Sequence, residues 1–332
     1  KVKIDYFNEK IDYYGNFYYE NLQSNINVEM TKKIAKFYLV SEPFKSLKFL
    51  KNFLHLPNIA ESWMYDNVKG DIKIEELYAE YDLINNHIIE NSIQGKAQIK
   101  DAKIRFHKDV DAVNTKSLDI FFKDNRLHFN LMEPMFKDKK LDGSFVLINN
   151  LTSEKNGQVD VFLKTNSKLD KDILDILKAY NITLPIIQKN GNTQASLLMK
   201  FPYDTTKNMS TYGEFFLNDA KVAINNFEFE SKNAEVILDD SIIKIKNSDF
   251  KYKDMINATL NLNLDIKTLK SYGDANIKSF LIKEENKESL VEIKDKNTAI
   301  DLNFNNEVSI LLKDLRTNIK ISDLIYVNID DL

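Results

Sequence analysis

The chain has 332 residues and a net charge of -4 from 46 basic and 50 acidic side chains, with no Cys, eight Gly, five Pro, 21 Phe and 15 Tyr. A general nucleic-acid binder carries a basic surplus, so this balance argues against one. The lack of Cys excludes disulfides, thiolate nucleophiles and zinc knuckles, and so few Gly argue against phosphate-cradling loops.

From the N-terminus, the chain opens Lys1-Val2-Lys3-Ile4 without an initiator Met. The expectation is therefore a piece of something longer, with any anchor or export signal upstream. The interleaved Tyr6, Tyr13, Tyr14, Tyr18 and Tyr19 fit strand packing at a sheet edge better than base stacking, because acids match bases there. Thr31 to Leu54 reads as helix, interrupted near Ser41-Glu42-Pro43, with Ser41 as an N-cap and Phe44, Leu47, Leu50 and Leu54 on one face. Lys45, Lys48 and Lys51 fall on another face, as in a membrane-surface helix or a helix packed across an open sheet end.

Beyond it, apolar and polar residues alternate with period two, the mark of half-buried strands. The cleanest case is Thr259 to Leu264, and Gln158–Lys164, Glu235–Leu238, Ile242–Ile245, Ala299–Phe304 and Glu307–Leu312 are similar. Turn signals at Lys123-Asp124-Asn125, Glu154 to Gly157, Asp239-Asp240 and Asn305-Asn306 predict antiparallel hairpins and meanders. A second helix is expected from about Asp170 to Tyr180, with Ile173, Leu174, Leu177 and Tyr180 inward and Leu184-Pro185 soon after. No apolar run approaches the ~20 residues of a membrane-spanning helix.

The sequence also repeats. Gly95 precedes Asp101-Ala102-Lys103 by six positions, and Gly213 precedes Asp219-Ala220-Lys221 by the same spacing, 118 residues later. A looser third copy begins at Gly273. Each copy supplies consecutive strands, and repeats of this kind extend one sheet rather than building separate globules. One mismatch stands out: Phe145 and Leu147 align with Thr259 and Asn261, as though the apolar face shifts by one residue.

Catalytic motifs are missing: no G-x-S-x-G, P-loop, H-E-x-x-H or EF-hand loop occurs. His55, His87, His107 and His128 are scattered, although His107 and His128 share a repeat and so a sheet region. Asp239-Asp240, Glu284-Glu285 and Asp330-Asp331 fall in predicted turns or at the chain end. No cofactor or metal site is expected. What recurs is an apolar face: Ile99, Ile104, Phe106, Ile120, Leu127 and Phe129, with counterparts Leu217, Val222, Ile224, Leu238, Ile243 and Ile245. In a closed sandwich these make a core, whereas in an open, curled sheet they line a trough that shields acyl chains. Period alone leaves both open.

A series of short markers runs through the chain: Trp63, Gly70, Gly95 to Lys103, Phe121, Leu127-His128-Phe129, Pro134 and Leu141-Asp142-Gly143. Leu169-Asp170 to Leu184-Pro185, Asn190 to Leu197, Phe201-Pro202 and Gly213 to Leu264 follow. Their order resembles the AsmA-like family of bacterial envelope proteins, in particular the central region of its YhdP-type members. The resemblance implies an elongated, curled antiparallel sheet with an apolar groove and two or three short helices. It also implies a periplasmic location, an inner-membrane anchor upstream of this chain, and a non-enzymatic part in moving phospholipid between inner and outer membranes. No catalytic residues come with it. On this reading residues 1–62 hold N-terminal strands and amphipathic helices, 63–209 the first repeat with helix 170–180, and 210–332 the second and a partial third, continuous with the first. Phospholipid and envelope proteins are the expected partners, without nucleic acid. The alternative is a structural scaffold module docking protein partners in an envelope assembly.

Overall fold

The computed structural model describes residues 1–48, 51, 56–151, 153, 156–183, 186–224, 227–283, 289–303, 308–321 and 325–329. The fold is mainly β and antiparallel, with two helices among the described residues. It divides into two compact units, Lys1–Lys164 with Leu198–Ser210, and Thr165–Leu197 with Thr211–Leu332.

The first unit contains β1 (Val2–Asp5), β2 (Lys10–Tyr19), β3 (Leu22–Met30), β4 (Ile34–Ser41), α1 (Asn58–Tyr65), β5 (Val68–Asp82), β6 (His87–Ile104), β7 (Val113–Lys123) and β8 (Arg126–Met132). The short pair β9 (Met135–Phe136) and β10 (Lys139–Lys140) follows, then β11 (Phe145–Asn149) and β12 (Gln158–Ser167). Each strand from β1 to β8 pairs antiparallel with the next, and β11 joins β8 to β12. Asp124 and Asn125 close the β7–β8 hairpin with φ of 52° and 58°, the pair of positive values a type I′ turn requires. Ile99, Val113, Leu118, Ile148, Val159 and Val161 form the most deeply buried part of this core.

The helix expected at Thr31–Leu54 is corrected. Residues 34–41 form strand β4 between β3 and β5, because Ile34, Phe37, Tyr38 and Val40 are β-branched or aromatic and fit a pleated surface. The Ser41 hydroxyl caps no helix; it accepts the Ile74 amide at 2.8 Å. Phe44 is buried and forms a bridge to Ile72, while Leu50 and Leu54 lie outside the described residues. The three lysines of that segment are paired, Lys45 with Asp71, Lys48 with Asp66 and Lys51 with Glu61.

The second unit begins with α2 (Lys171–Ala179). Asp170 is its N-cap, its carboxylate accepting the amides of Asp172 and Ile173, and such caps contribute about 1 kcal/mol. Its inward face is Ile173, Ile176, Leu177 and the following Tyr180, with Leu174 only half-buried. Leu184-Pro185 falls outside the described residues, as do Glu284-Glu285, Asn305-Asn306 and Asp330-Asp331. The boundary between units passes through β13 (Ile186–Pro202).

There follow β14 (Ser210–Ile224), β15 (Phe227–Asp239), β16 (Ile242–Tyr252), β17 (Ile256–Asp265), β18 (Lys270–Lys283), β19 (Ser289–Asn303), β20 (Val308–Leu312), β21 (Thr317–Ile321) and β22 (Ile325–Ile329). Every one pairs with its successor, an uninterrupted meander. Leu262, Ala275, Ile277, Phe280, Ile300, Leu302, Leu312 and Ile319 make one apolar cluster on its inner face.

The one-residue shift expected between the repeats dissolves. Val146 and Ile148 are the buried residues of β11, and they align with Leu260 and Leu262. Phe145 occupies the other face, where its ring meets His128 and Phe162.

Candidate functional site: two apolar cavities

Both units bend their long strands with the same device. Asp101 in β6 and Asp219 in β14 have φ of 48° and 43°, a left-handed conformation that Asp tolerates better than most residues. On β5, Gly70 alone opposes Asp101 and Ala102, where the register slips by one residue, a β-bulge in β6, and Gly191 lies in the same way against Asp219 and Ala220 of β14. Two adjacent exposed residues followed by a buried Ala result, at Lys100-Asp101-Ala102 and again at Asn218-Asp219-Ala220. The bulge returns the apolar face to the same side after an odd number of residues. Leu217 and Val222, five apart, therefore both face inward.

A glycine on the preceding strand accommodates each bulge. A Cβ on Gly70 would stand 2.7 Å from the Lys100 carbonyl oxygen and 3.2 Å from Ala102 Cα. On Gly191 it would stand 2.5 Å from the Asp219 oxygen. Their φ values, +154° and +84°, also disfavour any side chain. The register slips again at Asn247 in β16, whose amide donates to Asn261 Oδ1 at 2.8 Å, and Asp295 in β19 takes the same left-handed φ.

In the first unit the bent strands enclose a cavity of about 740 Å³. Its floor is Ile72 and Ile74 of β5, Ile99 of β6, Ile120 of β7, and Leu127 and Phe129 of β8. Val68 and Tyr65 line it near α1, and Lys45, Lys48, Lys69 and Lys96 stand among the polar residues around it. Ligand pockets are commonly ~300–1,000 Å³, apolar and edged by a few polar groups. In the second unit a cavity of about 230 Å³ is lined by Ile186 of β13 and by strands from β14 to β21, including Leu217, Val222, Ile245, Leu260, Leu262, Ile300 and Ile319.

Of the positions expected from sequence, Ile99, Ile120, Leu127 and Phe129 line the first cavity, and Leu217, Val222 and Ile245 the second. Ile104, Phe106, Leu238 and Ile243 are buried elsewhere in the core. The side chain of Ile224 lies outside the described residues. Sequence reasoning missed Ile72, Ile74 and Tyr65 around the first cavity, and Ala258, Leu260 and Ala275 around the second. The signal for β5 was present, because Val68, Gly70, Ile72 and Ile74 keep strict period two with Gly70 in place of an apolar side chain.

The Tyr65 hydroxyl is buried with no hydrogen-bond partner among the described residues, and burial, with Glu61 second, pushes its pKa up to about 12. Lys51 stands 5.1 Å over its ring. His128 is half-buried with Nε2 unpartnered, and burial lowers its pKa. His107 lies 3.8 Å from Asp109. Among the described residues no cluster of His, Asp or Glu is arranged to hold a metal, and no helix is long and apolar enough to cross a membrane. The chemistry on offer is exclusion of water from apolar matter.

The model of the family described as YhdP protein matches residues 55–324, which take in both bulge motifs, the second cavity and the first apart from its residues 45–48. The chain belongs to the YhdP family. Family membership thus covers the first unit from ahead of α1 and the second as far as the β21–β22 connection. No curated protein and no solved structure matches the chain.

Proposed function

We propose that this YhdP-family chain is a non-enzymatic periplasmic protein whose apolar cavities shield phospholipid acyl chains. On this reading it takes part in lipid transport or envelope maintenance between inner and outer membranes, held by an anchor upstream of the chain. The observation that carries the reading is that each unit leaves an apolar cavity in its sheet, built with the same Gly and left-handed Asp pairing. A dozen buried methylenes at ~0.8 kcal/mol each amount to roughly 10 kcal/mol of gross transfer free energy from water, which offsets what the chain loses on leaving the bilayer. Lipid extraction of the chain purified from a bacterial envelope tests it. Phospholipid is expected to co-purify with the native chain and to be lost from Ile120→Asp. A lipid-free native protein would sink the reading.

A second reading, docking of an envelope protein, has one observation in its favour. Val2, Ile4, Tyr14 and Tyr18 are exposed on β1 and β2, and β1 pairs only with β2 among the described residues. Capture of a defined envelope partner that Ile4→Lys abolishes, with no lipid bound, would favour it.

A further inference from the structure

The ladder between β15 and β16 breaks and resumes in the same register. Glu230 pairs with Lys251 and Glu235 with Lys246, but Ser231–Ala234 make no pair with Asn247–Phe250. Inside the break, Ser248 Oγ takes the Glu235 amide at 3.2 Å, a side chain replacing a strand partner. The second cavity reaches the sheet here, and a polar basin of about 520 Å³ meets it. Glu230, Ser231, Asp249 and Phe250 line both spaces, and all but Glu230 belong to the unpaired stretch. The break thus lies between an apolar cavity and a charged basin.

Lys221, Lys232, Lys251 and Lys278 line the basin against Asp219, Glu230 and Asp249. Its ion pairs are loose: Lys221 lies 3.6 Å from Glu230, Lys251 3.8 Å from Asp254 and Lys278 3.3 Å from Asp249. Lys232 makes no ion pair among the described residues. Ser231 Oγ, at the junction, is buried without a hydrogen-bond partner. Around the first cavity, by contrast, Lys45 and Lys96 are held closely by Asp71 and Glu75. Near-balanced charge suits a headgroup carrying both signs, since a polyanion would meet three carboxylates.

We propose that this basin receives the zwitterionic phosphodiester headgroup of a glycerophospholipid whose acyl chains enter the second cavity through the β15–β16 break. The lysines take the phosphate, the carboxylates the ammonium, and Ser231 a glycerol ester oxygen. The assignment rests on the acyl-chain reading of the cavity and adds the place and chemistry of the headgroup.

The full chain, delipidated in detergent, is titrated with phosphatidylethanolamine carrying a diazirine in its acyl tail, and the label on peptides of β14–β21 is read by mass spectrometry. Diacylglycerol with the same tail is run in parallel. In the combined variant Lys221→Gln, Lys251→Gln and Lys278→Gln, half-saturation by phosphatidylethanolamine is expected to rise about tenfold, with diacylglycerol unchanged. The matching Lys→Arg variant is expected to restore binding, which separates lost charge from lost fold. Equal labelling of wild type and the Gln variant by both lipids would overturn the headgroup site and leave the acyl-chain reading standing. No labelling of the wild type by either lipid would overturn both. Inorganic phosphate that protects Lys232 from acetylation as strongly as the lipid does would make the basin a free-phosphate site and overturn the proposal.

Discussion

Gly191 and Ala220 approach so closely that a Cβ on the glycine would stand 2.7 Å from the alanine Cα. Gly70 and Ala102 stand in the same relation at 3.2 Å in the other unit. The Ala of each pair follows a left-handed Asp, so the contact lies where a long strand bends. Bending lets one strand serve as floor and wall of a cavity, which ties the short Asp-Ala-Lys repeat to the apolar spaces.

Replacing Gly191 with Ala is expected to cost about 2–4 kcal/mol, because the new Cβ meets backbone atoms and the φ is disfavoured as well. Gly143 separates the two effects. Its φ is +85°, but a Cβ there would meet only Lys164 Cδ at 3.5 Å, an ordinary contact. Gly143→Ala should cost only about 1–2 kcal/mol. Urea unfolding of the two variants measures the difference, and equal losses would remove the steric part of the argument.

Asp219 needs a residue that accepts positive φ. Asp219→Gly and Asp219→Asn are expected within about 0.5 kcal/mol of wild type, and Asp219→Val about 1–2 kcal/mol less stable, since a β-branched residue is strained there. Thermal melts of the three variants check the order. A destabilised Asn variant would mean that the charge, not the conformation, is what matters.

Alanines of the same strand should respond oppositely to enlargement. Ala97 lines the first cavity, whereas Ala102 is almost fully buried against Gly70. Ala97→Leu is expected to be neutral or stabilising while reducing lipid uptake, and Ala102→Leu to cost about 1–3 kcal/mol. Denaturation midpoints and lipid stoichiometry of both variants provide the test.

His128 should make stability fall with acid. Burial lowers its folded pKa below the unfolded value, so its neutral form supports the fold above about pH 6.5. As the pH drops from there toward the folded pKa, the unfolded chain takes up the proton first and the contribution is lost. His128→Phe should therefore lose less Tm than wild type between pH 7.5 and 5.5. Parallel melts with identical slopes would contradict this.

Strand alternation and the 118-residue repeat made the β meanders legible in the sequence, and Asp170 marked α2. The cavities were legible only in part. Periodicity identifies an inward face but not which of its residues border a space, so Ile99 and Leu217 were singled out while Ile72 and Leu260, on equally regular alternation, were not. Nor does it show whether an inward residue meets another side chain, as Ile104 does, or faces a cavity, as Phe129 does. The Ile34–Ser41 segment was misread because a short apolar run with flanking lysines fits a helical face as well as a strand, and its partners β3 and β5 settle it.

The most direct test of acyl chains in the cavities is face-specific photocross-linking. A benzophenone side chain is placed at Phe129 or Leu260, which line the cavities, and at Phe121 or Tyr272, which are exposed. Each protein is irradiated with phosphatidylethanolamine vesicles. The account predicts lipid adducts from Phe129 and Leu260 and none from Phe121 and Tyr272. Equal adducts from all four positions, or adducts from the exposed pair alone, would contradict it.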